Sequence, residues 1–224
     1  MARRIESHLL DGPAGKLEAL LEPPEDHAPI EACVVCHPHP LYGGTMHNKV
    51  VHRIARGLRR RGSVVLRFNF RGVGRSQGYF DRGEGELADA AAALDWLQGY
   101  NTNASACWIG GFSFGAWIGM QLLMRRPEIA AFIAVAPPAN LFDFSFLAPC
   151  PSSGLIIQGD QDQIVPLEAM QKLITKLQHQ RDIKIDYRLI AGADHFFQNE
   201  LEELGAAVEE YIGGAKPKRA ASGR

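Results

Sequence analysis

Short, continuously apolar runs alternate with segments of helical periodicity along most of the chain, and this alternation constrains the fold more than any other feature. Residues 32–36 form one such run and are followed by apolar residues at helical spacing within 50–61; the run 64–68 is followed by the Ala-rich stretch 84–98. Strands that are apolar throughout are typical of parallel sheets buried on both faces. We therefore predict an α/β fold with a mostly parallel central sheet and helices on both faces.

The other predicted elements continue this alternation. They are the hairpin strands 5–10 and 16–21, the strands 106–110, 131–135, 155–158 and 183–190, and the helices 114–126, 167–177 and 198–211. We expect residues 1–214 to form a single domain and the basic residues 215–224 to be disordered. The segment between the strands ending near 135 and beginning near 155 is too short to hold an inserted lid domain.

A G-x-S-x-G motif at Gly111, Ser113 and Gly115 lies between a predicted strand and a predicted helix. Glycine at both flanking positions indicates a sharp turn at which the chain passes close to itself and exposes the serine hydroxyl. The following helix directs its N-terminus at Ser113, which favours developing negative charge there. A glycine-rich packing turn is the alternative, but the strand-turn-helix context favours Ser113 as a nucleophile.

A serine hydroxyl needs a base to remove its proton, and the base needs an acid to orient it. In proteins with this motif the chain order is serine, acid, histidine. Only His179 and His195 follow Ser113, and His179 lies in a polar helical stretch. His195 comes just after the predicted strand 183–190, so it is the candidate base.

Two carboxylates follow the predicted strand 155–158, and we take Asp162 as the candidate acid. Asp160 is nearer the strand end, and we expect it to brace the turn through local hydrogen bonds. Asp143 is the runner-up. Asp194 adjoins the candidate base, but neighbouring side chains on a loop seldom face each other.

The negative charge that forms when a serine attacks a carbonyl needs preorganised N–H donors. Phe114 follows the candidate nucleophile and supplies one donor. The second is expected from the loop after 32–36, in which Pro38 and Pro40 have no N–H. This leaves His39 or Leu41, and we favour His39.

Apolar side chains near these loops are candidates for binding substrate: Leu41, Tyr42, Phe142, Phe144 and Phe146. Those in the segment 141–147 are equally good candidates for the core. The histidines at 37, 39 and 47 lack Asp, Glu or Cys at matching spacing, so we predict neither a metal nor a cofactor. The glycine-rich stretch 71–76 lacks the spacing of a phosphate loop, and we interpret it as a tight turn beside the site.

Charge and cysteine content narrow the partners and the compartment. With 24 Lys+Arg against 25 Asp+Glu, the net charge of -1 gives no reason to expect a nucleic-acid partner. No apolar run approaches the length of a membrane helix, and the N-terminus lacks the apolar core of a secretory signal. The four cysteines include one C-x-x-C within a predicted strand, so we expect a cytoplasmic protein without structural disulfides. Its oligomeric state, monomer or homodimer, stays open.

Several motifs together resemble the α/β-hydrolase superfamily, in the small lidless branch near dienelactone-hydrolase-like proteins and compact bacterial esterases. They are HPHPLYGG at 37–44, NFRGVGRS at 69–76, GFSFG at 111–115, GDQD at 159–162 and DH at 194–195. The resemblance implies a triad of Ser113, Asp162 and His195, with an oxyanion hole formed by the main-chain N–H groups of His39 and Phe114. Dienelactone hydrolases have cysteine where this chain has Ser113.

We therefore expect a serine carboxylesterase that cleaves small or moderately sized esters, with aromatic acyl esters such as feruloyl esters as one candidate class. The alternatives are a lactone hydrolase of the dienelactone type, a peptidase of the same fold, and a non-catalytic binding member of the fold.

Overall fold

The computed structural model describes residues 4–25, 31–101 and 104–214, and contains a single eight-stranded sheet. The strands are β1 (Glu6–Gly12), β2 (Gly15–Glu22), β3 (Glu31–Cys36), β4 (Ser63–Phe68), β5 (Ala106–Phe112), β6 (Ile129–Val135), β7 (Gly154–Gly159) and β8 (Ile185–Ile190). Their order in the sheet is β1-β2-β4-β3-β5-β6-β7-β8. β2 runs antiparallel to β1 and β4, and all other neighbours are parallel. The predicted hairpin and mostly parallel sheet are confirmed.

In the described parts of the chain, five α-helices cover both faces of the sheet, as predicted. They are α1 (Lys49–Arg60), α2 (Glu84–Tyr100), α3 (Phe114–Arg125), α4 (Leu167–Gln178) and α5 (Leu201–Gly214). The buried apolar residues of α1 and α5 pack on one face, and those of α2, α3 and α4 pack on the other. The predicted tail 215–224 lies outside the described residues.

Side chains within a strand alternate between these two faces, which explains why the central strands are apolar throughout. Val34 packs with the α2–α3–α4 face and Val35 with the α1–α5 face. Cys33 and Cys36 likewise lie on opposite faces, and both are free, buried thiols. The C-x-x-C spacing therefore belongs to strand packing.

Two predicted boundaries differ from the structure for identifiable reasons. β5 continues to Phe112, because Gly110 and Gly111 still pair with β3 and β6. Helix α5 begins at Leu201 instead of 198, because the Asp194 carboxylate accepts the N–H groups of the two residues at 196 and 198 and holds them in a turn. The extension of β5 places Ser113 directly after the strand.

The order of the strands places the site. From β3 the chain crosses to β4 on one side, and β5 then lies on the other side of β3. In open parallel sheets, ligands bind at the carboxyl ends of the strands where the order reverses in this way. The segment between β6 and β7 contains only a single 3₁₀ turn, Ser145–Leu147, so no lid domain is inserted there. Among the described residues, no helix combines the length and apolar character needed to cross a bilayer.

Candidate active site

Ser113 occupies a strained turn between β5 and α3. Its backbone has φ 53° and ψ −119°, a left-handed conformation that side-chain-bearing residues rarely adopt. A Cβ atom added at Gly111 would overlap the Gly115 carbonyl, and one added at Gly115 would overlap the carbonyls of Cys36 and His37. Both glycines of the motif are thus required by close backbone approach, and the second brings the start of α3 against the loop after β3.

The structure brings Ser113, His195 and Asp162 into one hydrogen-bonded chain. The distance from His195 Nε2 to Ser113 Oγ is 3.1 Å, and that from His195 Nδ1 to Asp162 Oδ2 is 2.8 Å. The other carboxylate oxygen of Asp162 accepts the N–H groups of Ile164 and Val165 at 2.9 and 2.8 Å. Because the carboxylate accepts from Nδ1–H, Nε2 is the ring atom that can accept from the serine hydroxyl.

The loops that carry the histidine and the acid are bonded to each other. Asp160 Oδ1 accepts the N–H of Gly192 at 2.7 Å, and the N–H of Gln161 donates to the Ala193 carbonyl at 3.0 Å. A Cβ at Gly159 would overlap that same carbonyl. Asp160 therefore braces the loop after β8 and also accepts a hydrogen bond within its own turn, as predicted, from the side-chain amide of Gln161 at 3.3 Å.

The other two carboxylates considered from the sequence have different partners. Asp143 accepts the N–H and the hydroxyl of Ser145 at 2.8 and 2.6 Å, and these hydrogen bonds lower the pKa of its carboxyl. Asp194 accepts the N–H groups of Phe196 and Gln198. Asp162 is the carboxylate that contacts His195.

The loop after β3 leaves His39 with a free N–H. The Leu41 N–H donates to His39 Nδ1 at 3.2 Å, and the His39 carbonyl accepts the N–H groups of Tyr42 and Gly44, both at 3.1 Å. Within the described parts of the chain, neither His39 N–H nor Phe114 N–H donates to a protein acceptor. Of the two donors that the sequence leaves open, Leu41 is therefore occupied and His39 is available.

His37 is fully buried, and both of its ring nitrogens are bonded. Nε2 accepts the N–H of Phe70 at 3.0 Å, and Nδ1 donates to the carbonyl of Pro38 at 2.6 Å. Burial lowers the pKa of His37 to about 4. From the sequence alone His37 is a candidate only for metal binding, because nothing local shows that Phe70, in a different loop, would reach its ring.

The predicted tight turn 71–76 is present, and together with the two residues before it we call it the turn 69–76; in it Gly72 and Gly74 have φ 75° and 56°. Its first residue bonds to two other segments: Asn69 Oδ1 accepts the N–H of Met46 at 2.8 Å, and its Nδ2 donates to Glu18 at 2.9 Å. The turn therefore lies against the loop that contains His39 and supports it from behind.

Aromatic rings cluster on the β3–α3 side of Ser113. We call this set the aromatic wall: His39, Tyr42, Phe80, Phe114, Trp117 and Phe142. The ring centroids of His39 and Phe114 are 4.9 Å apart, and Trp117 stacks on Phe142 at 4.4 Å. Partial burial in this cluster lowers the pKa of His39. Tyr42 and Phe142 are predicted from the sequence to bind substrate, whereas Phe80 and Trp117 are not, because they come together with the other rings only in the folded chain.

The other predicted pocket residues lie in three environments. Leu41 and Tyr42 are 66% and 86% exposed. Phe144 is buried in the core and stacks on the half-buried Phe146 at 5.9 Å. Phe142 also borders a cavity of about 450 Å³ between residues 139–145 and α4. The lining of this cavity includes the charged residues Asp143, Glu168, Lys172 and Lys176.

Comparisons with known proteins identify the family and the fold. The family model for X-Pro dipeptidyl-peptidase (S15 family) matches residues 15–204, which is most of the chain. An uncharacterized protein of Rickettsia prowazekii (strain Madrid E) is 53% identical over 207 residues, covering 90% of this chain and 86% of the relative.

Two solved structures are similar to this chain in both sequence and fold. A putative α/β hydrolase of unknown function from Agrobacterium tumefaciens is 50% identical with a TM-score of 0.89, covering 93% of this chain and 95% of its own. A protein from Xanthomonas campestris, described as an α/β serine hydrolase without lid, is 35% identical with a TM-score of 0.87, covering 97% and 99%. The chain therefore belongs to the X-Pro dipeptidyl-peptidase (S15) family within the α/β-hydrolase superfamily, and it is an α/β serine hydrolase.

Proposed function

We propose that this protein is a serine carboxylesterase that cleaves small or moderately sized carboxylic esters. The observation that carries the proposal is the hydrogen-bonded chain from Ser113 through His195 to Asp162, at 3.1 and 2.8 Å. A serine on a strained turn, a base within reach of its hydroxyl and an acid on the far side of that base are the parts that acyl transfer requires.

The geometry supports the following sequence of steps. His195 Nε2 takes the proton of Ser113 Oγ as that oxygen attacks the ester carbonyl carbon. The main-chain N–H groups of His39 and Phe114 donate to the carbonyl oxygen as it becomes negative. His195 then gives its proton to the departing alcohol oxygen, and the acyl group stays on Ser113. A water molecule deprotonated by His195 attacks this acyl-enzyme, which releases the acid and restores the hydroxyl.

The aromatic wall supports a preference for planar or aromatic acyl groups, including hydroxycinnamates such as feruloyl esters. Phe114 supplies an N–H donor, and its ring contacts His39, Trp117 and Phe142 at 4.9, 5.6 and 5.8 Å. Phe114 itself is buried, so an acyl group bound at Ser113 would lie beside the half-buried rings packed against it, and such rings bind flat π-systems well. Leu41 and Tyr42 extend this surface on the exposed side.

The experiment measures turnover of p-nitrophenyl acetate, p-nitrophenyl butyrate and methyl ferulate by wild-type protein and Ser113→Ala. We expect Ser113→Ala to reduce turnover of every ester at least about 10⁴-fold. The matched control is Ser153→Ala, at the amino end of the sheet, where the hydroxyl accepts the N–H of Lys184 at 2.9 Å. Wild-type rates from Ser113→Ala would contradict the proposal.

Peptide hydrolysis is the second candidate, because the matching family model is that of an X-Pro dipeptidyl-peptidase. The same relay can cleave amides, so the two functions differ in the leaving group and in what the site binds. Adding glycyl-proline p-nitroanilide to the substrate panel decides between them. We expect kcat/KM for the esters to exceed that for the anilide by about 100-fold or more; the reverse order would favour the peptidase. A lactone in the same panel tests the dienelactone alternative.

We also propose that the enzyme works in the cytoplasm. All four cysteines are free thiols in the structure, and each of them is buried. Stable free thiols are typical of a reducing compartment. Fractionation of the source cells, with esterase activity and antibody detection, should recover the protein with cytoplasmic markers; recovery with secreted or envelope proteins would contradict this location.

A further inference from the structure

We propose that His37 is a positioning residue that directs the oxyanion-binding N–H of His39. The inference rests on the proposed function, since it concerns the oxyanion hole of that reaction. His37 is the first residue of the loop after β3, and its side chain is fully buried.

The two hydrogen-bond partners of the His37 ring fix its tautomer. Phe70 N–H can only donate, so Nε2, 3.0 Å away, must be the unprotonated acceptor. The ring proton then lies on Nδ1, which donates to the Pro38 carbonyl at 2.6 Å. A doubly protonated ring could not accept from Phe70, and burial also lowers the pKa of His37, so the neutral form with this single arrangement is the one that fits the site.

The peptide between Pro38 and His39 couples the direction of the Pro38 carbonyl to that of the His39 N–H. A trans peptide is planar, and its C=O and N–H point in opposite directions. The cis bond found in the described residues is Ala148–Pro149, so the Pro38–His39 bond is trans. A donor that fixes the direction of the Pro38 carbonyl therefore also fixes the direction of the His39 N–H, which points away from the His37 ring.

The chain on both sides of this peptide is also held in place. A Cβ at Gly44 would overlap the Pro38 carbonyl, so the loop closes tightly over that oxygen. The His39 carbonyl accepts two N–H groups, and the rings of Pro38 and Pro40 fix their φ angles. In this setting the Nδ1–H of His37 is the side-chain donor that sets the rotation of the peptide plane.

The Nε2 atom of the His37 ring is bonded to Phe70, whose two neighbours in the chain are held by several hydrogen bonds. Phe70 lies between Asn69, bonded to Met46 and Glu18, and Arg71. The guanidinium of Arg71 forms two hydrogen bonds to the fully buried Asp89, at 3.0 and 2.8 Å, and its main-chain N–H forms a third at 3.0 Å. His37 thus links the turn 69–76 to the loop after β3, which carries the His39 N–H.

The experiment compares three substitutions. His37→Phe fills the site but removes both hydrogen bonds. His37→Asn places an amide N–H near the position of Nδ1, whereas His37→Gln places its amide near the position of Nε2. The readouts are kcat and KM for p-nitrophenyl butyrate per titrated active site, and the affinity for phenylboronic acid, whose tetrahedral adduct with the serine places an oxygen in the oxyanion hole.

We expect kcat to fall about 30- to 100-fold for the Phe and Gln variants, with KM changed less than about 2-fold, because the N–H of His39 bonds most strongly in the transition state. Affinity for phenylboronic acid should fall by a similar factor, and His37→Asn should recover kcat to within about 5-fold of wild type. If His37→Phe does not fold, the comparison of the Asn and Gln variants makes the same test.

The matched control is Ser152→Ala, which removes a buried hydrogen bond of 3.0 Å to the Ile129 carbonyl at the amino end of the sheet. It should lower stability without changing kcat or inhibitor affinity. His37 variants that behave like this control, or an Asn variant no better than Gln, would overturn the inference. Failure of the proposed function itself is distinguished by Ser113→Ala, which would then keep wild-type turnover.

Discussion

The relay residues and the aromatic wall lie at the same edge of the sheet, but they are held in different ways. Asp162 makes three hydrogen bonds and His195 makes two, and both side chains are almost fully buried. The wall is held mostly by ring contacts, with hydrogen bonds at the His39 ring and the Trp117 indole, and Tyr42 on its outer side is 86% exposed. Directional bonds fix the atoms that perform chemistry, whereas stacked rings can adjust to different acyl groups. We therefore expect substitutions in the relay to abolish catalysis, and substitutions in the wall to change only which acyl groups are preferred.

The largest effect that separates the two regions should come from Asp162→Asn. The amide cannot hold His195 in the required tautomer, so we expect kcat to fall about 10³- to 10⁴-fold with KM little changed. Steady-state ester hydrolysis per active site measures this. The matched control is Asp160→Asn, two residues away, whose bond is to the N–H of Gly192; its kcat should stay within about 3-fold of wild type. Equal losses in both variants would contradict the assignment of Asp162.

The next effect is the dependence of the free energy of unfolding on pH that arises from the buried, hydrogen-bonded His37. Folding keeps His37 neutral by lowering its pKa from 6.5 to about 4, so the unfolded chain binds a proton that the folded chain does not between these values. This contribution is fully present above pH 6.5 and is lost as the pH falls toward 4, by about 3 kcal/mol.

The measurement for this prediction is the free energy of unfolding in urea at several pH values. His37→Asn, which has no titratable group at the site, should show a flatter decline between pH 6.5 and 4 than wild type. The difference between the two profiles removes the contributions of carboxylates that titrate in the same range. Parallel profiles would contradict a buried neutral imidazole at this position.

The smallest effect should come from the wall. Phe142→Ala removes the ring that stacks on Trp117, so we expect the ratio of kcat/KM for methyl ferulate to that for p-nitrophenyl acetate to fall about 3- to 10-fold. Tyr100→Ala is the control, because Tyr100 forms a comparable stacked pair with Trp96 at the far end of α2. An unchanged ratio in Phe142→Ala would mean that the acyl group does not bind against this ring.

Sequence reasoning reaches the fold and the relay because both depend on local patterns. Continuous apolar runs report burial on two faces, and the glycines at 111 and 115 report a backbone approach that no side chain would permit. Chain order limits the choice of acid and base, and the positions of Asp162 and His195 shortly after predicted strands favour these two residues. These signals need no knowledge of which loops meet.

The support of the site could not be predicted in the same way. The bond from Phe70 N–H to His37 joins loops after two different strands, and Asp160 bonds to the loop after β8 in addition to its own turn. Trp117 and Phe80 look like ordinary core residues in the sequence, since their contacts with the wall depend on how α3 and the segment before α2 pack. Such long-range contacts follow from tertiary placement, which periodicity does not encode.

The central claim is that the Ser113 hydroxyl is activated by His195. The most direct test is to treat the protein with a fluorophosphonate and locate the adduct by mass spectrometry in the tryptic peptide 83–125, with Asp162→Asn and Ser113→Ala as comparisons. We predict one adduct per chain, on Ser113, forming much more slowly in Asp162→Asn and absent in Ser113→Ala. Active protein that gains no adduct, or gains it at another residue, would contradict the account.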